Sequence, residues 1–179
     1  MHELVREARK VIETWVKEGK EYLPNIDNEK YKGYGVFVTI NKRGGLRGCI
    51  GFPYPQEDFR KALMEAAISA CHDPRFPPLT EKELKDIEVE ITLLKPPKKL
   101  EVKSPKEYLE KIKIGKHGLI VQKGPYSGLL LPQVAVENNW DVLEFLSYTC
   151  LKAGLPSTAW MDEDTEIYVF EGKVIKEEV

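Results

Sequence analysis

Residues 34–52 read YGVFVTINKRGGLRGCIGF. The stretch YGVFVTI alternates apolar and polar side chains with a period of two, as a half-buried strand does. A glycine-bearing turn from Asn41 to Gly45 then returns the chain into LRGCIGF. A connection this short joins only antiparallel strands, because parallel neighbours need a crossover of about a dozen residues or more. The chain is therefore committed to a β-hairpin. Plain alternation along its second arm sets Leu46, Gly48, Ile50 and Phe52 on one face and Arg47, Cys49 and Gly51 on the other.

Helical patterns interleave with such hairpins. Leu4, Ala8, Val11, Ile12 and Trp15 recur at helical spacing, and Gly19 is placed to end the helix. A second helical run takes in Phe59, Ala62, Leu63, Ala66, Ala67 and Ala70, and Pro74 forbids its continuation through HDPRFPP. Thr80 with Glu83, between Leu79 and Leu84, marks another helix start, as do Ser104-Pro105 with Glu107 and Asp141 with Glu144. IEVEITLL alternates as a strand with Ile87, Val89, Ile91 and Leu93 inward, and KPPKK after it is a stiff surface connector. GLIVQK and GLLLP flank GPYSG as a second hairpin, and TEIYVFEGKVIKE predicts strands around a glycine turn. With no regular βαβ alternation and no repeat, the pattern is that of an α+β fold.

Charge narrows the partners. Twenty-seven basic side chains stand against 29 acidic ones, a net charge of -2, so no global positive field draws the chain to nucleic acid or an anionic membrane. The Lys-rich stretch from Lys95 to Lys116 is interrupted by glutamates and reads as a solvated surface. No apolar run approaches the roughly 20 residues needed to cross a bilayer, and the N-terminus lacks the apolar core of a secretory signal. The expectation is a cytoplasmic protein. Its three cysteines, Cys49, Cys71 and Cys150, suit free thiols in a reducing compartment better than a disulfide framework. The dominance of Lys and Glu over Gln is a bias of thermostable proteins.

Cys49 is the first chemical candidate, since a thiolate is the nucleophile and a neighbouring guanidinium, here Arg47, favours it. Gly48 and Gly51 would admit a substrate or a second backbone close to the strand. The competing reading makes Cys49 a small buried hydrophobe in a crowded hairpin. Cys71 and His72 adjoin, but no second Cys or His stands at ligand spacing, so no metal site is expected. Cys150 shares a helical stripe with Leu143 and Leu146 and reads as core. His117, in GKHGL, is either a solvated turn histidine or a base to Cys49 if the fold unites them. Asp73 and Arg75 flank Pro74 and would pair with each other or with Arg47.

These residues carry a resemblance. LRGCIGF contains LRGCIG, the signature of the AMMECR family, named from a chromosomal region linked to Alport syndrome and elliptocytosis. DPRFPPLTEKEL, GKHGL and LLPQVAVENNWD follow in that family's order. The resemblance implies one AMMECR-type domain over residues 1–179, made of two unequal lobes. Each lobe would be an antiparallel sheet with flanking helices, with a cleft near LRGCIG. It implies site residues at Leu46 to Gly51 (Leu46, Arg47, Gly48, Cys49, Ile50 and Gly51), at Asp73, Arg75 and Phe76, and at His117 and Gly118. It names no cofactor and no substrate. Some relatives are joined to, or encoded beside, Memo-like and radical-SAM proteins, which implies a role in a modification pathway or, alternatively, a module that docks such a partner.

Overall fold

The computed structural model describes residues 1–177. The chain divides into two units, Met1–Pro96 together with the chain from Lys173 on, and Pro97–Gly172.

In the first unit, helix α1 (Glu3–Glu18) starts where His2 Nδ1 accepts from the Leu4 N–H and ends at Gly19, whose left-handed φ of 66° lets its N–H donate to Trp15 O. The hairpin forms as β1 (Gly35–Lys42) and β2 (Gly45–Phe52). Its turn residues Arg43 and Gly44 both have positive φ, 49° and 80°, the geometry that matches the strand twist of a two-residue connection. Helix α2 (Phe59–Ala70) is capped by Asp58, which accepts from the N–H groups of Arg60 and Lys61. Strand β3 (Ile87–Leu94) pairs antiparallel with the other edge of β1, Val38 opposite Ile91. Val36, Val38, Ile40, Val89 and Ile91 form one sheet face, on which α1 and α2 lay Leu4, Ala8, Ile12, Leu63 and Ala66. Burying each larger side chain here contributes about 1.5–3 kcal/mol.

In the second unit, β4 (Lys98–Lys99) is followed by the short helix α3 (Tyr108–Lys111), the hairpin β5 (His117–Lys123) and β6 (Tyr126–Leu130), and helices α4 (Pro132–Glu137) and α5 (Val142–Lys152). Ile120 faces Leu129 across the hairpin. Its core gathers Tyr108, Ile112, Leu119, Val121, Phe145, Leu146, Cys150 and Trp160.

Strand β7 (Glu166–Lys176) serves both units. Its first part runs between β5 and β4, Val169 facing Leu119 on one side and Lys98 on the other. Its tail belongs to the first unit, where Ile175 joins the core. There the Glu177 N–H donates to Val89 O while the Glu177 carboxylate accepts from Val89 N and from Arg9. Two expectations change here. No turn forms at Gly172, because both flanks of the glycine are held extended by separate partners. Lys98 and Lys99 of the connector are paired strand. Among the described residues no helix is long and apolar enough to cross a membrane.

Candidate functional site

The register of the hairpin decides where the signature residues point. Lys42 faces Gly45 and Asn41 faces Leu46, but Ile40 faces Gly48 and Thr39 faces Cys49, so β2 carries one extra residue, Arg47. This bulge resets the alternation. Leu46 does not join Gly48, Ile50 and Phe52 as plain alternation required. It sits across from Asn41 on the same face as Cys49, 44% exposed. Ile50 keeps the expected side and packs on the first unit's core.

Arg47 is held by a carboxylate on a neighbouring helix turn. Its guanidinium makes a two-pronged pair with Glu83, Nε to Oε2 at 2.7 Å and Nη2 to Oε1 at 3.1 Å. Glu83 also receives Lys42 Nζ at 3.2 Å and closes a capping box with Thr80. These bonds, Arg47 foremost, hold the Glu83 carboxyl down at about 2. Burial pushes the Cys71 thiol up to about 12, against the opposing positive charge of Arg47.

Cys49 Sγ lies 3.2 Å from Thr39 Oγ1. Thr39 in turn faces Glu90 on β3, so thiol, hydroxyl and carboxylate form a row across three strands on the face opposite the helices. Cys49 is half-buried, whereas Cys71 and Cys150 are buried, and burial raises the Cys150 thiol as well.

The proline-rich loop is organised by Asp73, whose side chain is 1% exposed. Its carboxylate accepts from the Cys49 N–H at 3.0 Å, from the Arg75 N–H at 3.0 Å, and from Arg75 Nη2 at 2.7 Å. Arg75 thereby holds the Asp73 carboxyl well below the usual carboxylate range, against the opposing effect of burial. Asp73 pairs with Arg75 and not with Arg47. The Asp73 pairing raises the Arg75 guanidinium above its ordinary value, and the charge of Cys49 contributes to that raising. Phe76 lies beneath both guanidinium groups, 5.6 Å from Arg75 Cζ and 6.0 Å from Arg47 Cζ.

The glycines of the signature are filled from inside. A Cβ on Gly48 would stand 2.1 Å from Ala70 O, because the end of α2 rests directly on the strand, and one on Gly51 would strike the backbone and ring of Phe37. Gly118 likewise lies under the ring of Phe170.

His117 and Gly118 belong to the second unit, at the start of β5, while Leu46 to Gly51, Asp73, Arg75 and Phe76 belong to the first. His117 Nδ1 accepts from the Lys113 N–H at 3.0 Å, so its proton resides on Nε2. Burial, with Lys116 next, pulls its pKa below the ordinary histidine value. His72 Nε2 accepts from the Trp15 indole at 2.8 Å. Among the described residues no group of three or more His, Cys, Asp or Glu side chains is gathered to hold a metal ion.

Sequence reasoning missed Thr39, Glu83 and Glu90. Glu83 was visible only as a helix cap, and Thr39 and Glu90 enter through a register that the bulge sets.

The AMMECR1 family model matches residues 5–175 of the chain. Protein NEQ441 of Nanoarchaeum equitans is 53% identical over 98% of this chain and 99% of its own length. Protein MK0488 of Methanopyrus kandleri is 53% identical over 98% of this chain and 87% of its own. Among solved structures, the crystal structure of uncharacterized protein PH0010 from Pyrococcus horikoshii superposes with a TM-score of 0.93 at 49% identity, over 98% of this chain and 90% of that one.

Proposed function

The chain belongs to the AMMECR1 family, and we propose that it acts through the Cys49 thiol, as an enzyme or as the substrate-handling component of one in a modification pathway. The observation that carries this reading is the contrast among the three cysteines. Two are buried with thiols pushed up. Cys49 alone is partly accessible, with a hydroxyl 3.2 Å from its sulfur. Hydrogen bonding and a nearby cation both favour a thiolate. In this reading Thr39 orients the sulfur, Arg47 and Arg75 over the Phe76 ring supply the positive charge, and Arg75 anchors an anionic group of the substrate. Asp73 holds both Arg75 and the Cys49 backbone in place. Arg47, through Glu83, fixes the hairpin end. The two units act as one AMMECR-type domain.

Alkylation with iodoacetamide over a pH series, followed by mass spectrometry of all three cysteines in the folded protein, tests the proposal. Near neutral pH Cys49 reacts at least ~10-fold faster than Cys71 and Cys150, and Arg75→Met slows it without unfolding the chain. A Cys49 that reacts no faster than the other two would remove the thiol reading. The second reading, a module that docks a Memo-like or radical-SAM partner, would then stand. It draws on Leu46 and Tyr54, 44% and 46% exposed in and beside β2.

A further inference from the structure

A guanidinium has two edges that can bind a carboxylate through parallel N–H groups, Nε with Nη2 and Nη1 with Nη2. Asp73 takes only the first edge of Arg75. Nε donates to Oδ1 at 3.1 Å and Nη2 to Oδ2 at 2.7 Å, and the Arg75 N–H donates to Oδ1 at 3.0 Å. The carboxylate that pins the group is 1% exposed, yet the Arg75 side chain stays 54% exposed. Phe76 lies against it, its ring centroid 5.6 Å from Cζ. Among the described residues no second carboxylate pairs with Arg75, so the Nη1 edge stands open. A free arginine loses side-chain freedom when it grips an anion, whereas this one is held in place beforehand by Asp73.

The same carboxylate sets the open edge beside the thiol residue. Asp73 Oδ2 accepts from Arg75 Nη2 and also from the Cys49 N–H at 3.0 Å, so the two nitrogens stand no more than about 6 Å apart. Charge then selects the ligand. In this network Lys42, Arg47 and Arg75 stand against Glu83 and Asp73, a surplus of one positive charge that a Cys49 thiolate neutralises. A carboxylate adds a single charge and matches the planar open edge with two hydrogen bonds. A phosphate dianion adds two charges beside the thiolate, with no further cation in the network to meet the second. We propose that Arg75 is a carboxylate receptor, and that the substrate of the thiol is an electrophile carrying a carboxylate, gripped by Nη1 and Nη2 while Cys49 Sγ attacks a carbon a few bonds away. This rests on the thiol reading above and extends it to the class of substrate. With an iodo acid as the model electrophile, the S–C bond forms as the carbon–iodine bond breaks, and iodide leaves with the electron pair.

Iodoacetate, 3-iodopropionate and 4-iodobutyrate, each compared with its uncharged amide on the full chain, test the proposal, with mass spectrometry reading Cys49 and glutathione as the reference thiol. Relative to glutathione, Cys49 prefers at least one acid over its amide by ~10-fold or more, the scale of a charge-assisted pair. The chain length preferred reports the separation of sulfur and receptor. Arg75→Lys, which keeps the charge but not the fork, cuts that preference to ~3-fold or less. A Cys49 that reacts, but whose preference for every acid stays within ~2-fold of glutathione's, overturns the receptor and leaves the thiol reading standing. A second readout needs no thiol chemistry. In Cys49→Ser protein, butyrate shifts the Arg75 Nε–H resonance saturably and butylamine does not. If Cys49 proves inert while butyrate still binds, the thiol reading fails alone; if butyrate produces no saturable shift, the receptor fails. Tighter binding of inorganic phosphate than of butyrate overturns carboxylate as the class.

Discussion

Replacing Gly48 with alanine adds one methyl group where the structure has no room for it. The new Cβ would lie 2.1 Å from Ala70 O and 3.2 Å from Ala70 C, against the 3.4 Å at which ordinary contact begins. Both obstructing atoms are backbone at the end of α2, so no side chain can swing aside. Either the last turn of the helix retreats by more than an ångström or the strand bends away. Overpacking of this kind costs about 1–3 kcal/mol, and the rigid geometry favours the upper end. Alanine's lower unfolded-state entropy offsets about 0.4–1 kcal/mol. The net loss is about 2 kcal/mol, a fall in Tm of about 4–8 °C for a chain of this length. Gly45→Ala in the same hairpin is the control, since its Cβ would meet nothing nearer than Lys42 O at 3.7 Å. Thermal unfolding of the two variants side by side is the assay. Because Asp73 follows α2, the retreat of the helix also lengthens its bond to the Cys49 N–H, which hydrogen exchange at that amide would report. If Gly48→Ala melted within a degree or so of Gly45→Ala, the claim that this glycine exists for helix–strand contact would be refuted.

Two further outcomes follow from the charged network. Asp73→Asn leaves Arg75 without its carboxylate and weakens the bond to the Cys49 N–H, so it costs about 2–4 kcal/mol. The loop from Asp73 to Leu79 becomes the first site of limited proteolysis, and unchanged cleavage kinetics would count against Asp73 as its organiser. The folded pKa of Glu83 is depressed, so its contribution is complete above the unfolded value of about 4.3 and is lost as pH falls toward about 2. Denaturant unfolding between about pH 5 and pH 2 should show this loss in the native protein and a shallower one in Glu83→Gln. Equal slopes would remove Glu83 from the account.

Much of this molecule follows from local pattern. The periodicities place the helices and hairpins, Gly19 ends α1 by its left-handed backbone, and the capping boxes at Thr80, Ser104 and Asp141 all form. These signals lie within a few residues of the structure they cause. The bulge at Arg47 does not. It depends on α2 pressing Ala70 against Gly48 and on Glu83, 36 residues away, taking the guanidinium. A one-residue bulge leaves little mark on apolar alternation when the residue after it is a glycine. That single shift moves Leu46 to the face of Cys49 and pairs the cysteine with Thr39. Gly172 misled for a related reason, since a glycine between polar residues signals a turn unless distant strands hold both flanks straight.

The path of β7 bears on how the protein is made. Ile175 fills the first unit's core and Glu177 satisfies both Arg9 and the Val89 amide, yet all of Pro97–Gly172 leaves the ribosome before them. The nascent first unit must therefore wait with β3 lacking a neighbour along one edge while the second unit, continuous in sequence, is free to fold. Although most of its residues are made first, the first unit cannot close its core until the end of β7 has been synthesised.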